Sequence, residues 1–398
     1  MRKTSIFKGF MIFVAIVCLL TFALNMINNR FNLGDFRVYY TAARNLVFGG
    51  PVYMVSFDDG SGFYKYSPST LFFFIPYIFF NFKIAEIIHF FILGTAYWYT
   101  MVWISRLIKT YFLTENINHE AWLLSISFAC ILIHFSRELF LGNINIILLL
   151  LCCFSIQKFL TKKDLQGSIL LGIVILAKPY FLILLLPLIL RKRWRALAWL
   201  GLTISCGLII PFIYPGPQKS LTFYGDWIKS ILNHQGVFPG MTSIDYLCNT
   251  IFPSWPSWGI FAILISICLL FATFILNNLQ TEKQQRTFAG MADMNFMFEW
   301  FLTIALLPNL IRTDWVLMLF TAPLITFNIY YIASKKQYWW IPVLIILFFF
   351  YSANSDDLLG RNLSHKILQS GLMGLSNFLL VVVSSFMFLN LRKLPPSG

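Results

Sequence analysis

Residues 158–195 read KFLTKKDLQGSILLGIVILAKPYFLILLLPLILRKRWR, an apolar stretch closed at both ends by cations and interrupted near its middle by Lys178-Pro179. Lys158, Lys162 and Lys163 stand at one end and Arg191, Lys192, Arg193 and Arg195 at the other. Basic residues between spans favour the cytoplasm, so both ends belong on one side of a membrane. Only about twenty-five residues separate them, too few for two crossings of ~20 residues each. The stretch therefore predicts two short helices that meet part-way at Ala177-Lys178-Pro179-Tyr180. Non-helical backbone at such depth is tolerated where it lines a polar cavity, and a lysine at the tip is costly elsewhere. The competing reading is one long helix with the arginine cluster outside.

The whole chain has the same character. Hydrophobic residues make up 58% of the 398 and charged residues 12%, against about a quarter charged in globular domains, which excludes a water-soluble surface. The predicted fold class is all-α, a polytopic membrane protein. Spans are expected at roughly 6–27, 84–108, 120–135, 143–160, 166–177, 180–190, 195–214, 257–278, 294–311, 315–333, 337–352 and 366–391, about twelve in number. The first is read as uncleaved, because no small-x-small site follows it. The net charge of +14 is dispersed between spans, which argues against nucleic acid as a partner. Placing Arg2/Lys3/Lys8, Arg106/Lys109, the two clusters above, Lys283/Arg286, Lys335/Lys336 and Arg392/Lys393 inside puts both termini in the cytoplasm. Residues 1–398 then form a single transmembrane domain with two long external loops, 28–83 and 215–256, and membrane lipids around it.

The first of these loops opens with GDFRVYYTAARNLVFGGPVY, Gly34 to Tyr53. Phe36, Tyr39, Tyr40, Ala43 and Val47 share one helical face, Arg37, Thr41, Arg44 and Asn45 lie on the other, and Gly49-Gly50-Pro51 ends the pattern. This predicts an interfacial helix with its tyrosines at headgroup depth. Ser69 to Phe80 is too short to cross and is expected to follow the interface. Asp35 at the helix start has two readings. An aspartate there is a common N-cap. A carboxylate at the mouth of a polar cavity, with cations nearby, is also a general base for an acceptor hydroxyl.

Soluble-enzyme motifs are missing. The chain has no glycine-rich phosphate loop, no nucleophile elbow and no metal-ligand spacing, so no metal or other cofactor is expected. Of the seven cysteines, all but Cys248 fall in apolar spans.

Taken in order, Gly34-Asp35 with Tyr40-Thr41-Ala42-Ala43, Gly49 to Tyr53, and Tyr64-Lys65-Tyr66-Ser67-Pro68 resemble the opening of glycosyltransferase family 87. Its members carry an aspartate followed by Y-x-A-A, G-x-x-x-Y and Y-x-Y-x-P. Arg137 with Gly142-Asn143-Ile144-Asn145, and Ala177-Lys178-Pro179 followed by Arg191-Lys192-Arg193-Trp194, resemble later parts of the pattern. The resemblance implies a class C membrane glycosyltransferase. Such an enzyme moves one sugar, mannose-like or arabinose-like, from a polyprenyl-phosphate donor to an envelope glycan or glycolipid acceptor on the outer face of a bacterial inner membrane, with inversion. It implies Asp35 as catalytic base. The substrate-binding residues expected beside it are Tyr39, Arg44, Tyr66, Arg137, Asn143, Asn145, Lys178, His234, Arg312 and Asp314, with Lys178, Arg137 and Arg312 as the external-side cations for the charge that grows on a leaving phosphate. Asn143 departs from the family's glutamine, and Leu307 to Trp315 departs from its serine-proline and tryptophan-histidine pattern.

Each cation also has a local explanation. Arg137 pairs with Glu138 or reaches headgroups, Arg312 pairs with Asp314, and His234 is a surface residue of the second loop. Two other functional classes fit many spans and buried charge: a secondary transporter, which predicts an internal repeat that the chain lacks, and a non-catalytic subunit of an envelope-polymer assembly.

Overall fold

The computed structural model describes residues 2–57, 62–113, 119–234, 240–254, 289–311, 315–352 and 359–393, and among them the secondary structure is helical with no strand. Every expected span except 257–278, which lies outside the described residues, is helical over most of its length. Among the described residues, six helices are long and apolar enough to cross a membrane, and four shorter apolar helices accompany them. The expected all-α, polytopic fold class is borne out.

The chain divides into two compact units, the first made of residues 1–100, 135–188 and 193–237 and the second of 101–134, 189–192 and 238–398. The first unit holds α1 (Arg2–Ile27), α2 (Gly34–Phe48), the start of α3 (Phe82–Tyr111), the end of α4 (Glu120–Leu141), α5 (Asn145–Leu160), α6 (Asp164–Ala177), most of α7 (Leu185–Leu190), α8 (Trp194–Ile213) and α9 (Pro217–His234). Helix α6 packs against both α5 and α8. Small residues permit this approach. A Cβ on Gly167 would meet the Phe159 ring, and one on Gly172 would meet Thr203. Serines bridge the helices where no water competes, Ser155 donating to the Gly167 carbonyl and Ser168 to the Ala196 carbonyl, both at 2.8 Å.

The short-helix hairpin is present. Helix α6 stops at Ala177, Lys178 is extended (φ −138°, ψ 100°), and Pro179–Leu184 continues as a 3-10 turn into α7. Proline has no N–H to donate and disfavours helix in the residue before it, so one long helix is excluded. The fourteen residues of α6 rise only about 21 Å, short of the ~30 Å hydrocarbon core. At its far end the two basic turns lie together, Arg193 donating to the Phe159 carbonyl at 2.6 Å and approaching Asp164 at 3.5 Å.

Several expectations are refined. Helix α2 buries Phe36, Val38, Tyr39, Tyr40, Ala42, Ala43 and Leu46, a wider face than the pattern indicates. Its tyrosines point into protein, Tyr40 donating to the Phe80 carbonyl at 2.9 Å. Ser69 to Phe80 forms two 3-10 turns. The second long loop contains α9, whose Leu221, Ile228 and Leu232 are exposed, and α10 (Ile244–Ile251).

The second unit includes α11 (Ala289–Ala305), α12 (Leu307–Leu310), α13 (Ala322–Lys335), α14 (Ile341–Tyr351), α15 (Arg361–Gln369) and α16 (Leu372–Lys393). The expected span 366–391 is thus split, at Gly371 (φ +75°), a conformation open to glycine. Arg191 forms a bidentate pair with Glu299, at 2.8 and 3.1 Å. Asn309 donates to the carbonyls of Thr242 (3.1 Å) and Gly374 (2.8 Å) and accepts from Asn377 (2.6 Å), which fastens α12 to α16.

Gly374 lies so close to the Thr242 backbone that an added Cβ would overlap it. Gly374→Ala is expected to cost about 1–3 kcal/mol, read as a lowered unfolding temperature in detergent. Gly225→Ala, in open space on α9, should raise stability by up to ~1 kcal/mol. Equal effects of the two substitutions would refute this packing.

Candidate active site

The site is built at the start of α2, and the local cap is not Asp35. The helix begins at Gly34 after Leu33, and no side chain caps it from within the segment. The Leu33 N–H instead donates to the buried carboxylate of Glu86 on α3, at 2.6 Å. Asp35 stands inside the first turn, its carboxylate turned elsewhere.

What it meets is the turn between α4 and α5. Gly142 adopts φ +70°, and a Cβ there would press to 2.8 Å from Leu33 and Phe36. Only glycine accepts both the conformation and the closeness. His89 hydrogen-bonds the Gly142 carbonyl at 3.0 Å and stacks on Phe36 at 4.3 Å between centroids, which pins the turn beneath α2.

The next residue then reaches both charges of the site. Asn143 donates from Nδ2 to Asp35 Oδ2 at 2.6 Å, while its Oδ1 accepts from Lys178 Nζ at 3.3 Å. The opposite amide orientation would set oxygen against carboxylate and NH₂ against ammonium, so the charges dictate one sense. Two residues on, Asn145 repeats the arrangement, its Oδ1 accepting from Lys178 at 2.6 Å and its Nδ2 donating to Glu138 Oε1 at 2.8 Å. Lys178 is 8% exposed and also lies 5.3 Å above the Tyr66 ring. The Tyr66 hydroxyl is 2.7 Å from that of Tyr39 and 3.5 Å from Asn143 Oδ1.

The structure thus brings together Asp35, Tyr39, Tyr66, Asn143, Asn145 and Lys178. Arg137 is half-buried and close enough to act on Asp35 electrostatically, as is Lys65, which the sequence reading passed over. Arg44 is exposed on the face of α2 away from Asp35 and does not join them. Arg312 and Asp314 lie outside the described residues, as does the His234 side chain at the end of α9. A second carboxylate was also missed. Glu138 is fully buried in this cluster; its signal in the sequence was an acid inside an otherwise apolar span, read there only as a neighbour for Arg137.

Enclosure by protein pushes the Asp35 carboxyl pKa up, against the hydrogen bond from Asn143 and the charges of Lys178, Lys65 and Arg137, which pull it down. Desolvation wins. The group is a stronger base than a free carboxylate, surrounded by three cations and one fixed amide.

The family model for glycosyltransferase family 87 matches residues 63–302, more than half of the chain. An alpha-(1->3)-arabinofuranosyltransferase from Corynebacterium glutamicum is 29% identical over 196 residues, covering 47% of this chain and 44% of that protein. The chain spans less than half the length of this curated relative. No solved structure matches it. The chain belongs to glycosyltransferase family 87.

The Asp35 carboxyl should titrate above the ordinary value of about 3.9, followed by ¹³C NMR of protein labelled at aspartate and assigned with Asp35→Asn. Asn143→Leu removes the bond that favours the charged form and should move the midpoint further up. A midpoint at or below the ordinary value in the native protein would contradict the enclosure described above.

Proposed function

We propose that this member of glycosyltransferase family 87 is a membrane glycosyltransferase that moves a single sugar from a polyprenyl-phosphate carrier to a glycan or glycolipid acceptor, with inversion at the anomeric carbon. The observation that carries the reading is the Asp35–Asn143–Lys178 constellation, a base and a cation held at opposite ends of one amide. In the reaction the acceptor oxygen attacks the anomeric carbon from the face opposite the leaving group. Asp35 takes the proton of that hydroxyl as the new carbon–oxygen bond forms. The bond from the anomeric carbon to the phosphate oxygen breaks, and its electron pair leaves with the polyprenyl phosphate. Lys178 and Arg137 stabilise the charge that grows there. Tyr39 and Tyr66 shape the wall of the sugar site. One base and one leaving group suffice for a single displacement.

Arabinose is the first sugar to test, because the relative from Corynebacterium glutamicum is named an arabinofuranosyltransferase; mannose is the second. Asp35→Asn keeps the side-chain shape but cannot accept a proton, so transfer from a synthetic polyprenyl-phosphate sugar should fall by roughly 10²–10⁴-fold. Donor binding and thermal stability should survive. Full transfer by a stable Asp35→Asn protein would sink the catalytic assignment.

The active site is assigned to the external face, with both termini in the cytoplasm. Supporting this, the basic turns at Lys162 and Arg193 lie side by side at the end of α6 away from Lys178. A reporter fused after Lys336 or at the C-terminus should report the cytoplasm, and one inserted within 215–256 the outside. An external C-terminus would reverse the assignment.

A further inference from the structure

Glu138 enters no step of the mechanism above, yet it is fully buried, and an isolated carboxylate is expensive in such surroundings. We propose that Glu138 is a positioning residue, which through Asn145 fixes the Lys178 ammonium where a donor phosphate would meet it. The proposal rests on the donor reading given above.

The chain of contacts is short and directional. Glu138 Oε1 accepts from Asn145 Nδ2 at 2.8 Å, and Asn145 Oδ1 accepts from Lys178 at 2.6 Å. A carboxylate only accepts, so it compels the NH₂ end of the amide towards itself and hence the oxygen towards the ammonium. Without that constraint only the ammonium itself orients the amide, which is then anchored at one end instead of two and no longer fixes where Nζ lies. An ammonium carries three N–H donors. Two are used here, on Asn143 and Asn145, and the Tyr66 ring covers one side. The third remains for a ligand oxygen. Asn143 alone cannot do this work, since its contact with Lys178 is 3.3 Å and its orientation answers to Asp35. The site therefore has two separate relays, one setting the base and one setting the cation.

A purely structural account makes Glu138 a buried partner whose loss lowers stability and nothing more. Two measurements separate the accounts. The first needs no donor: unfolding temperatures of Glu138→Gln, Lys178→Met and the double variant form a cycle. Linked groups give a double variant less destabilised than the sum of the single ones; additive losses would overturn the proposal. The second is the Kd of a short-chain polyprenyl phosphate in detergent. Glu138→Gln should weaken it by roughly 10–100-fold, the size of effect that follows when the outer partner of a metal-ligating side chain is removed. Adding Asn145→Asp to Glu138→Gln places a carboxylate directly against Lys178 and should restore most of the affinity, which a merely structural role does not foresee. Glu138→Gln protein that binds as tightly as the native one would refute the positioning role. Native protein that fails to bind the polyprenyl phosphate, in a cycle that still shows coupling, would overturn the donor reading while supporting the link between Glu138 and Lys178.

Discussion

An ammonium taken out of water must find oxygen atoms, and the first unit is arranged around that demand at Lys178. The two oxygens come from one turn, Gly142 to Asn145, which also begins α5. To present Lys178 to them, α6 has to stop at Ala177, and Pro179 ensures that it does. To bring the turn beneath α2, residue 142 has to be glycine. The break in α6, the left-handed turn and the start of α5 are three local irregularities with one cause.

The same turn keeps base and cation apart. A direct Asp35–Lys178 ion pair would favour the charged carboxylate and so weaken it as a base. With Asn143 between them, Asp35 receives an oriented hydrogen bond and only an attenuated field. Burial then outweighs the pull of the cations. An amide is suited to the place because it offers a donor to one charge and an acceptor to the other, and the asparagine at 143 is long enough to reach both.

The hairpin and α2 were legible because each is written in local chemistry: cations at both ends of a stretch too short for two crossings, and apolar residues at helical spacing closed by Gly49-Gly50-Pro51. Asp35, Asn143, Asn145 and Lys178 were legible through their order along the chain. Glu86 and Glu138 were not. Glu86 serves as the anchor at the start of α2 from 53 residues away, so nothing next to Asp35 in the sequence announces that the position is already held. Glu138 neighbours Arg137 in sequence, and proximity along the chain concealed its partner across the turn. Helix α9 was missed because its apolar residues are spread among Lys219, Asp226 and Lys229, a pattern that reads as loop when only long apolar runs are sought.

Buried polar groups occur in both units, and how completely they are satisfied separates structure from site. Asn309 in the second unit donates to two carbonyls and accepts from Asn377, whose own oxygen is taken by Thr321. Every amide oxygen and nitrogen of Asn309 and Asn377 is engaged, and the pair acts as a clasp. In the first unit the cluster around Lys178 keeps an unused N–H on the ammonium, and Glu138 Oε2 and the Tyr180 hydroxyl are buried without a hydrogen-bond partner. Leftover atoms by themselves are not enough, since Asn328 is buried with both amide atoms unpartnered and brings no charge. The cluster around Lys178 differs in joining charges of both signs to unused donors and acceptors. A ligand carrying phosphate and hydroxyl groups would complete it, where an apolar ligand would leave it as costly as before.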